Sequence, residues 1–143
     1  MIRRSTGVLL ATLEYHGSFS SVMKLMIENL GFPSVLAGKS VALLGVAGGL
    51  IGAIKSLEQL RGVCSHVGAI VLPGSVSVAH VRDAFNDDAE CLDVNVEGRL
   101  QGLAENLLGY IRQNVCPRMT LEAMVRAGSW HSIRARYRPA AVR

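Results

Sequence analysis

Three short apolar runs alternate with longer stretches of helical periodicity along the chain. The runs cover residues 7–12, 41–46 and 69–72, and each is continuous rather than alternating. Continuous runs of this length are typical of strands that are covered on both faces, as in parallel sheets. Because strands and helices alternate in order, the pattern predicts an α/β fold with a parallel sheet and helices on both faces.

Apolar residues recur at helical spacing in three segments. The stripes are Val22, Leu25, Met26 and Leu30; then Ile54, Leu57, Leu60, Cys64 and Val67; then Val96, Leu100, Leu103, Leu107, Leu108 and Ile111. We expect Ser18, Ser20 or Ser21 to cap the first helix and Asp93 to cap the last. Gly31 with Pro33, Gly68, and Cys116 with Pro117 are the expected helix ends. Residues 75–78 alternate like a short strand.

Two loops of unusual composition follow the first two runs. They span residues 13–21, with the sequence LEYHGSFSS, and residues 46–52, with the sequence VAGGLIG. In open parallel sheets, ligands bind outside the carboxyl ends of the strands. We therefore expect both loops to face one crevice.

The composition is that of a single globular domain with reduced thiols. Of 143 residues, 50% are apolar, 18% are charged and 5% are aromatic, and Cys64, Cys91 and Cys116 are too far apart in sequence for a zinc motif. The low aromatic share argues against a surface that stacks nucleic-acid bases. No signal peptide or membrane span is expected, so we predict a cytoplasmic location without nucleic-acid or membrane partners.

The net charge of +4 comes from the end of the chain. Residues 1–116 carry nine Lys or Arg and ten Asp or Glu, which gives −1, whereas residues 117–143 carry six Arg and one Glu, which gives +5. We therefore divide the chain into a domain at 1–116 and an Arg-rich extension at 117–143. The extension either binds phosphate, RNA or an acidic protein surface, or is an exposed terminus.

The glycines at positions 45, 48, 49 and 52 do not form a dinucleotide fingerprint or a P-loop. They either allow a flat or anionic ligand to approach the backbone, or allow a helix to pack tightly on a strand. In the first loop, Glu14, Tyr15, His16 and Ser18 surround Gly17, but the spacing of a nucleophile elbow is absent. The four histidines have no metal-ligand spacing.

Two segments, GVLLATLEYHGSFSS and KSVALLGVAGGLIGAIKSLEQLRGVCSHVGAIVLP, resemble the NADPH-dependent FMN reductase family of flavodoxin-like proteins. The resemblance covers residues 7–112. It implies a flavodoxin-like open parallel sheet that lacks the first two strands, so that three main strands remain and the first is a bare edge. Leu13 stands where the family has a proline, and the family's phosphate-binding loop has no counterpart before residue 7.

The resemblance also implies a site and an activity. Glu14, Tyr15, His16, Gly17 and Ser18 would lie along the flavin ring of FMN, together with Ala47, Gly48 and Gly49. Hydride would pass from NAD(P)H to FMN and electrons then to a quinone, azo or similar acceptor, without a catalytic side chain. A dimer or tetramer is implied, with helix 20–30 as a candidate contact. The alternative is a non-catalytic remnant or assembly subunit that does not bind FMN by itself.

Overall fold

The computed structural model describes residues 2–127 as one α/β domain. After a short 3-10 helix at Ile2–Arg4, the elements are β1 (Gly7–Tyr15), β2 (Ser18–Phe19), α1 (Ser21–Glu28), β3 (Ser40–Val46), α2 (Ile54–His66), β4 (Ile70–Val71), β5 (Val76–Val78), α3 (Val81–Ala84) and α4 (Val94–Tyr110). A π-helical segment, Ile111–Val115, then leads into α5 (Cys116–Arg126).

The three predicted main strands lie side by side in one parallel sheet. β1 pairs with β3 in parallel from Gly7 opposite Ser40 to Leu13 opposite Val46. On the other side of β3, β4 pairs with the beginning of β3 and β5 with its end. β4 and β5 are therefore two parts of one interrupted strand. The break falls at residues 72–75, where Pro73 has no N–H for a ladder hydrogen bond. The predicted strand 69–72 is therefore shorter than expected.

Helices cover both faces of this sheet, as predicted. On one face, α1 and α2 enclose a core of Leu10, Leu36, Val41, Leu43 and Leu60, each at most 3% exposed. On the other face, α4 places Val96 and Leu103 against Ala42, Val76 and Val78. The alternating side chains of β3 belong to the two cores in turn, which is why this strand is a continuous apolar run.

The first strand is longer than its apolar run. β1 continues to Tyr15 and turns at His16 and Gly17 into β2, so that Glu14 pairs with Phe19 and Tyr15 with Ser18. His16 and Gly17 have φ of 51° and 79°, which is the conformation of a type I′ hairpin turn. The prediction of a loop from residue 13 was therefore wrong, and Leu13 lies in β1.

The helix that begins at Val94 also extends further than expected. Asp93 caps it as predicted, since its Oδ1 accepts hydrogen bonds from the amides of Asn95 (2.8 Å) and Val96 (3.2 Å). Cys116 and Pro117 do not end the helical run, because Pro117 occupies the first turn of α5, where a missing N–H is tolerated. At the start of α1, Ser20 is the capping serine, with Oγ 3.2 Å from the Met23 amide.

One edge of the sheet is open within residues 2–127. β1 pairs with β3 along Gly7–Leu13, and on its outer side only Glu14 and Tyr15 pair, with β2. On the face of the sheet that α4 covers, the helix lies over β3 and β5. Leu9 (42% exposed) and Leu13 (47% exposed), on the same face of β1, therefore stay accessible. The expected bare edge at the first strand is thus present in the described residues.

Residues 128–143 lie outside the described part, and with them most of the Arg-rich extension. Of the helices within residues 2–127, none has both the length and the apolarity needed to cross a membrane.

Candidate functional site

A crevice of about 500 Å³ lies at the carboxyl edge of the sheet, between the β1–β2 hairpin and the glycine-rich loop that follows β3. We call it the carboxyl-edge crevice. Its lining consists of Glu14, Gly17, Gly49, Leu50, Ile51, Gly52 and Lys55. The structure therefore brings together the two segments that the sequence predicted to face one crevice. The reason is that parallel neighbours such as β1 and β3 end at the same edge.

The hairpin side of the crevice is held in place by two polar side chains. The Glu14 carboxylate accepts a hydrogen bond from the Gly17 amide across the turn. Gln59, on α2, donates from Nε2 to the Gly17 carbonyl (3.0 Å), and its Oε1 accepts from Ser18 Oγ (2.8 Å). These contacts fix the backbone of the turn against α2, so Glu14 and Gln59 are positioning residues for the hairpin.

The glycines of the second loop fall into two groups. A Cβ added at Gly45 would lie 2.6 Å from Ala53 Cβ, and one added at Gly52 would lie 2.5 Å from Ser77 Oγ. An added Cβ at Gly48 or Gly49 would meet nothing within 4 Å. Tight packing, one of the two explanations that the sequence left open, is therefore confirmed at Gly45 and Gly52. Gly48 and Gly49 leave open space, and the approach of a ligand to them stays a prediction.

The backbone of this loop presents unpaired donors. The amides of residues 48–51 make no hydrogen bond within the described part of the chain, whereas the Gly52 amide bonds to the Gly49 carbonyl (3.2 Å). The loop leads into α2, whose first turn has no side-chain cap. Free N–H groups in the loop and the positive dipole end of α2 that follows it both favour electronegative atoms of a ligand.

Three crevice residues were missed by sequence reasoning. Leu50 and Ile51 are 79% and 71% exposed, which is unusual for two consecutive large apolar side chains. Lys55 contributes a cation, and its side chain passes the hairpin, with Cδ 3.9 Å from the position of a Cβ on Gly17. Within residues 2–127 its ammonium group has no ion pair or hydrogen bond. The apolar pair between glycines was a signal that could have marked the loop tip.

Five of the predicted site residues are not part of the crevice lining: Tyr15, His16, Ser18, Ala47 and Gly48. Tyr15 ends β1, His16 is in the turn, and Ser18 bonds to Gln59. Ala47 is buried, and its amide and carbonyl are bonded to Val78 (2.9 Å) and Val81 (3.1 Å). The backbone of Ala47 is thus fully used inside the protein. We find no cluster of metal-binding side chains among residues 2–127.

Comparisons with known proteins identify a family and several relatives that the chain is similar to. The model of the family described as NADPH-dependent FMN reductase matches residues 1–83. The chain is 35% identical over 95 residues to an NADPH azoreductase of Bacillus sp. (strain OY1-2), covering 64% of this chain and 53% of the relative. It is 24% identical over 115 residues to a 2-hydroxy-1,4-benzoquinone reductase of Burkholderia sp., covering 78% of this chain and 63% of that protein.

The fold is also found in a solved structure. FerB, a flavoenzyme NAD(P)H:(acceptor) oxidoreductase from Paracoccus denitrificans, superposes with a TM-score of 0.64 at 26% identity, over 78% of this chain and 64% of that one. The chain thus spans between about half and two thirds of the length of these relatives. The family match covers more than half of the 143 residues and includes both sides of the crevice. The chain therefore belongs to the NADPH-dependent FMN reductase family.

Proposed function

We propose that this protein is an oxidoreductase in which FMN, bound at the carboxyl-edge crevice, carries hydride from NAD(P)H to an organic acceptor. The observation that carries the proposal is the convergence of the β1–β2 hairpin and the glycine-rich loop on one cavity of about 500 Å³. That cavity combines unpaired backbone donors with exposed apolar side chains. A flat heteroaromatic ring with polar edge atoms needs both.

The crevice residues and the adjacent Gly48 fit the ring end of FMN in three respects. Gly48 and Gly49 leave room for a ring to approach the backbone. The amides of residues 48–51 can donate to the carbonyl and nitrogen atoms on the polar edge of the ring. Leu50 and Ile51 offer apolar surface that a bound ring would cover, which excludes water from the reacting face.

When bound, FMN supplies the two-electron chemistry, because the flavin accepts a hydride and later passes on the electrons. The protein residues bind and orient. Lys55 places a positive charge beside the crevice, where it would stabilise negative charge on the ligand. Glu14 holds the turn through the Gly17 amide and needs no proton-transfer role.

The acceptor is proposed to be a quinone, an azo compound or a related oxidant. This follows from the names of two relatives, an NADPH azoreductase and a 2-hydroxy-1,4-benzoquinone reductase. Such acceptors are flat and conjugated, so they can occupy the same open side of the crevice as the nicotinamide in turn. The exposed Leu50 and Ile51 would contact either of them.

The phosphate of FMN has few partners among the described residues. Lys55 is the one cation in the crevice lining within residues 2–127. A phosphate dianion needs several charge-assisted donors, each contributing roughly 1.5–3 kcal/mol. We propose that these donors come from outside residues 2–127, in a neighbouring protomer or another polypeptide segment placed along the open edge of β1.

Titration of flavin-free protein with FMN, followed by flavin fluorescence, tests the proposal directly. We expect weak binding by the chain and NADPH oxidation when FMN and a benzoquinone are supplied together. Lys55→Gln should weaken FMN binding, whereas Lys24→Gln, an exposed lysine on α1, is the matched control. A chain that neither binds FMN nor changes the rate of NADPH oxidation would contradict the proposal.

A second candidate function is an assembly subunit or non-catalytic remnant. The observation that favours it is the unpaired outer edge of β1 with the accessible Leu9 and Leu13, a surface suited to another polypeptide. Absence of FMN binding combined with formation of a stable complex through β1 would support this function instead. Homo-oligomer formation, a cytoplasmic location and the division at residues 116 and 117 stay predictions.

A further inference from the structure

A second cleft, of about 530 Å³, lies at the opposite edge of the sheet from the carboxyl-edge crevice. We call it the basic cleft. Thr6, Lys39 and Ile70, at the amino ends of β1, β3 and β4, are part of its lining. The seven residues of β3 separate the two edges by about 20 Å, at about 3.3 Å per residue. A ligand in the basic cleft is therefore separate from a flavin in the crevice.

The charges around the basic cleft are mostly positive. Its lining contains Arg3, Arg4, Lys39 and Arg118, and one carboxylate, Glu122. Glu122 already pairs with Arg118, with Nε and Oε1 2.9 Å apart. Arg3 and Arg4 have no ion pair or side-chain hydrogen bond within residues 2–127. The local balance is +3, although residues 1–116 together carry −1.

The segment that carries the two free guanidinium groups is docked onto the domain. Lys39 Nζ donates to the carbonyls of Ser5 (2.6 Å) and Arg3 (3.3 Å). Ser5 closes the preceding turn, with its Oγ 2.7 Å and its amide 3.1 Å from the Ile2 carbonyl. Ile2 packs against the core under α1 and α2. The backbone that carries Arg3 and Arg4 is thus held at the cleft before any ligand arrives, which lowers the entropy lost on binding.

We infer that the basic cleft binds a pyrophosphate or polyphosphate group. Guanidinium groups bind phosphate oxygens with two parallel hydrogen bonds, so two unpaired arginines match an ion with two phosphate centres better than a single carboxylate. The remaining charge of the cleft suits a ligand with at least two negative charges. Tyr110 and Asn114 line the helix side and add neutral polar groups beside the cations.

The test uses flavin-free protein and inorganic pyrophosphate, measured by isothermal titration calorimetry at low ionic strength. We expect one site whose affinity falls about tenfold for each guanidinium removed, since a charge-assisted hydrogen bond contributes at least about as much as one decade of affinity. The test variant is Arg3→Gln with Arg4→Gln. The control with equal charge loss is Lys24→Gln with Arg82→Gln, two exposed cations outside the cleft lining. Binding should also weaken as salt is raised.

Amide chemical shifts locate the ion independently of the variants. Pyrophosphate should shift the Ser5 and Gly38 amides, which line the basic cleft, and leave Gly49 in the crevice unchanged. Equal affinity in the Arg3 and Arg4 variant, shifts outside the cleft, or no binding would each overturn the inference. Because no flavin or NAD(P)H is present, failure here leaves the proposed reductase activity unaffected, and the reverse also holds.

Discussion

At the residue scale, Gly45 and Gly49 lie four positions apart in one glycine-rich segment, yet their surroundings differ. Gly45 is on β3 beneath α2, where an added Cβ would also come within 3.0 Å of Leu57 Cγ. Gly49 lines the crevice, where an added Cβ would meet open space. Neither has a positive φ, so an alanine at either position is judged by space rather than by backbone strain.

This difference predicts that the same substitution, glycine to alanine, affects stability at one position and ligand binding at the other. Gly45→Ala should lower the free energy of unfolding by about 1–3 kcal/mol, because it overfills the packed β3–α2 contact. Gly49→Ala should leave stability nearly unchanged but weaken FMN binding by about tenfold, which corresponds to about 1.4 kcal/mol. Urea denaturation and FMN titration measure the two effects. Normal FMN binding by the Gly49 variant would show that the ring does not lie against this loop.

Cys64 predicts how stability depends on alkaline pH. Its side chain is buried in the core under α2, and burial raises the pKa of the thiol from 9.0 to about 11, with a smaller opposing effect of Arg61. In the unfolded chain the thiol loses its proton first, so the free energy of unfolding should fall as pH rises from about 9 to about 11 and stay unaffected by this group below pH 9. Urea denaturation at several pH values measures this slope.

The control for that measurement is Cys64→Ala, which should remove this part of the slope while lowering stability at every pH through the lost side-chain volume. Cys116 is exposed, so it should react rapidly with a thiol reagent in the native protein while Cys64 does not. An unchanged alkaline slope in the Cys64 variant would contradict the assignment.

At the element scale, the β1–β2 hairpin connects the sheet to the crevice, and its conformation depends on two residues with positive φ. Gly17 suits this conformation, whereas a residue with a side chain pays about 1–2 kcal/mol there. Gly17→Ala should therefore lower the free energy of unfolding by about this amount in urea denaturation. His16→Asn should raise it slightly, because Asn followed by Gly favours a type I′ turn.

Gly62→Ala is the matched control for the hairpin. Gly62 lies inside α2, and an added Cβ there meets no atom within 4 Å. Alanine is about 1 kcal/mol more favourable than glycine in a helix interior, so this variant should gain stability. Equal effects of the two glycine substitutions would mean that the turn is not formed in solution.

At the scale of the whole molecule, the open edge of β1 has the strongest consequence. The outer edge of residues 7–13, which has no strand partner within residues 2–127, lies beside Leu9 and Leu13, which are 42% and 47% exposed. An apolar strip next to unsatisfied N–H and C=O groups favours strand pairing with another chain. We therefore expect association of the protein to rise with concentration.

Leu9→Lys with Leu13→Lys should reduce this association in sedimentation velocity, because charge on the strip opposes its burial. A single surface substitution of this kind usually changes stability by less than about 0.5 kcal/mol. Val22→Lys with Leu25→Lys is the comparison, since these exposed residues lie on α1, the helix that sequence reasoning named as a contact. If the α1 variant dissociates the assembly and the β1 variant does not, the interface lies on α1.

Local pattern was sufficient for much of the fold. The apolar runs identified the three main strands, because a strand covered on both faces must be apolar on both sides of its pleat. Asp93 and Ser20 act as caps because capping depends on a few consecutive residues. The meeting of the two loops followed from strand direction alone. The hairpin was missed because a short polar segment with histidine and glycine is equally compatible with a hairpin turn and with a loop that has no strand pairing.

By itself, then, the sequence determined the parallel α/β architecture, the family and the edge of the sheet where the crevice forms, since all three depend on the order and spacing of residues. Tertiary structure decided which glycines are packed and which are open, that Lys55 reaches the hairpin, and that Arg3, Lys39 and Arg118 meet in one cleft. These are contacts between segments far apart in the chain. They depend on how the helices lie across the sheet, and no local pattern of residues encodes the distances between such remote segments.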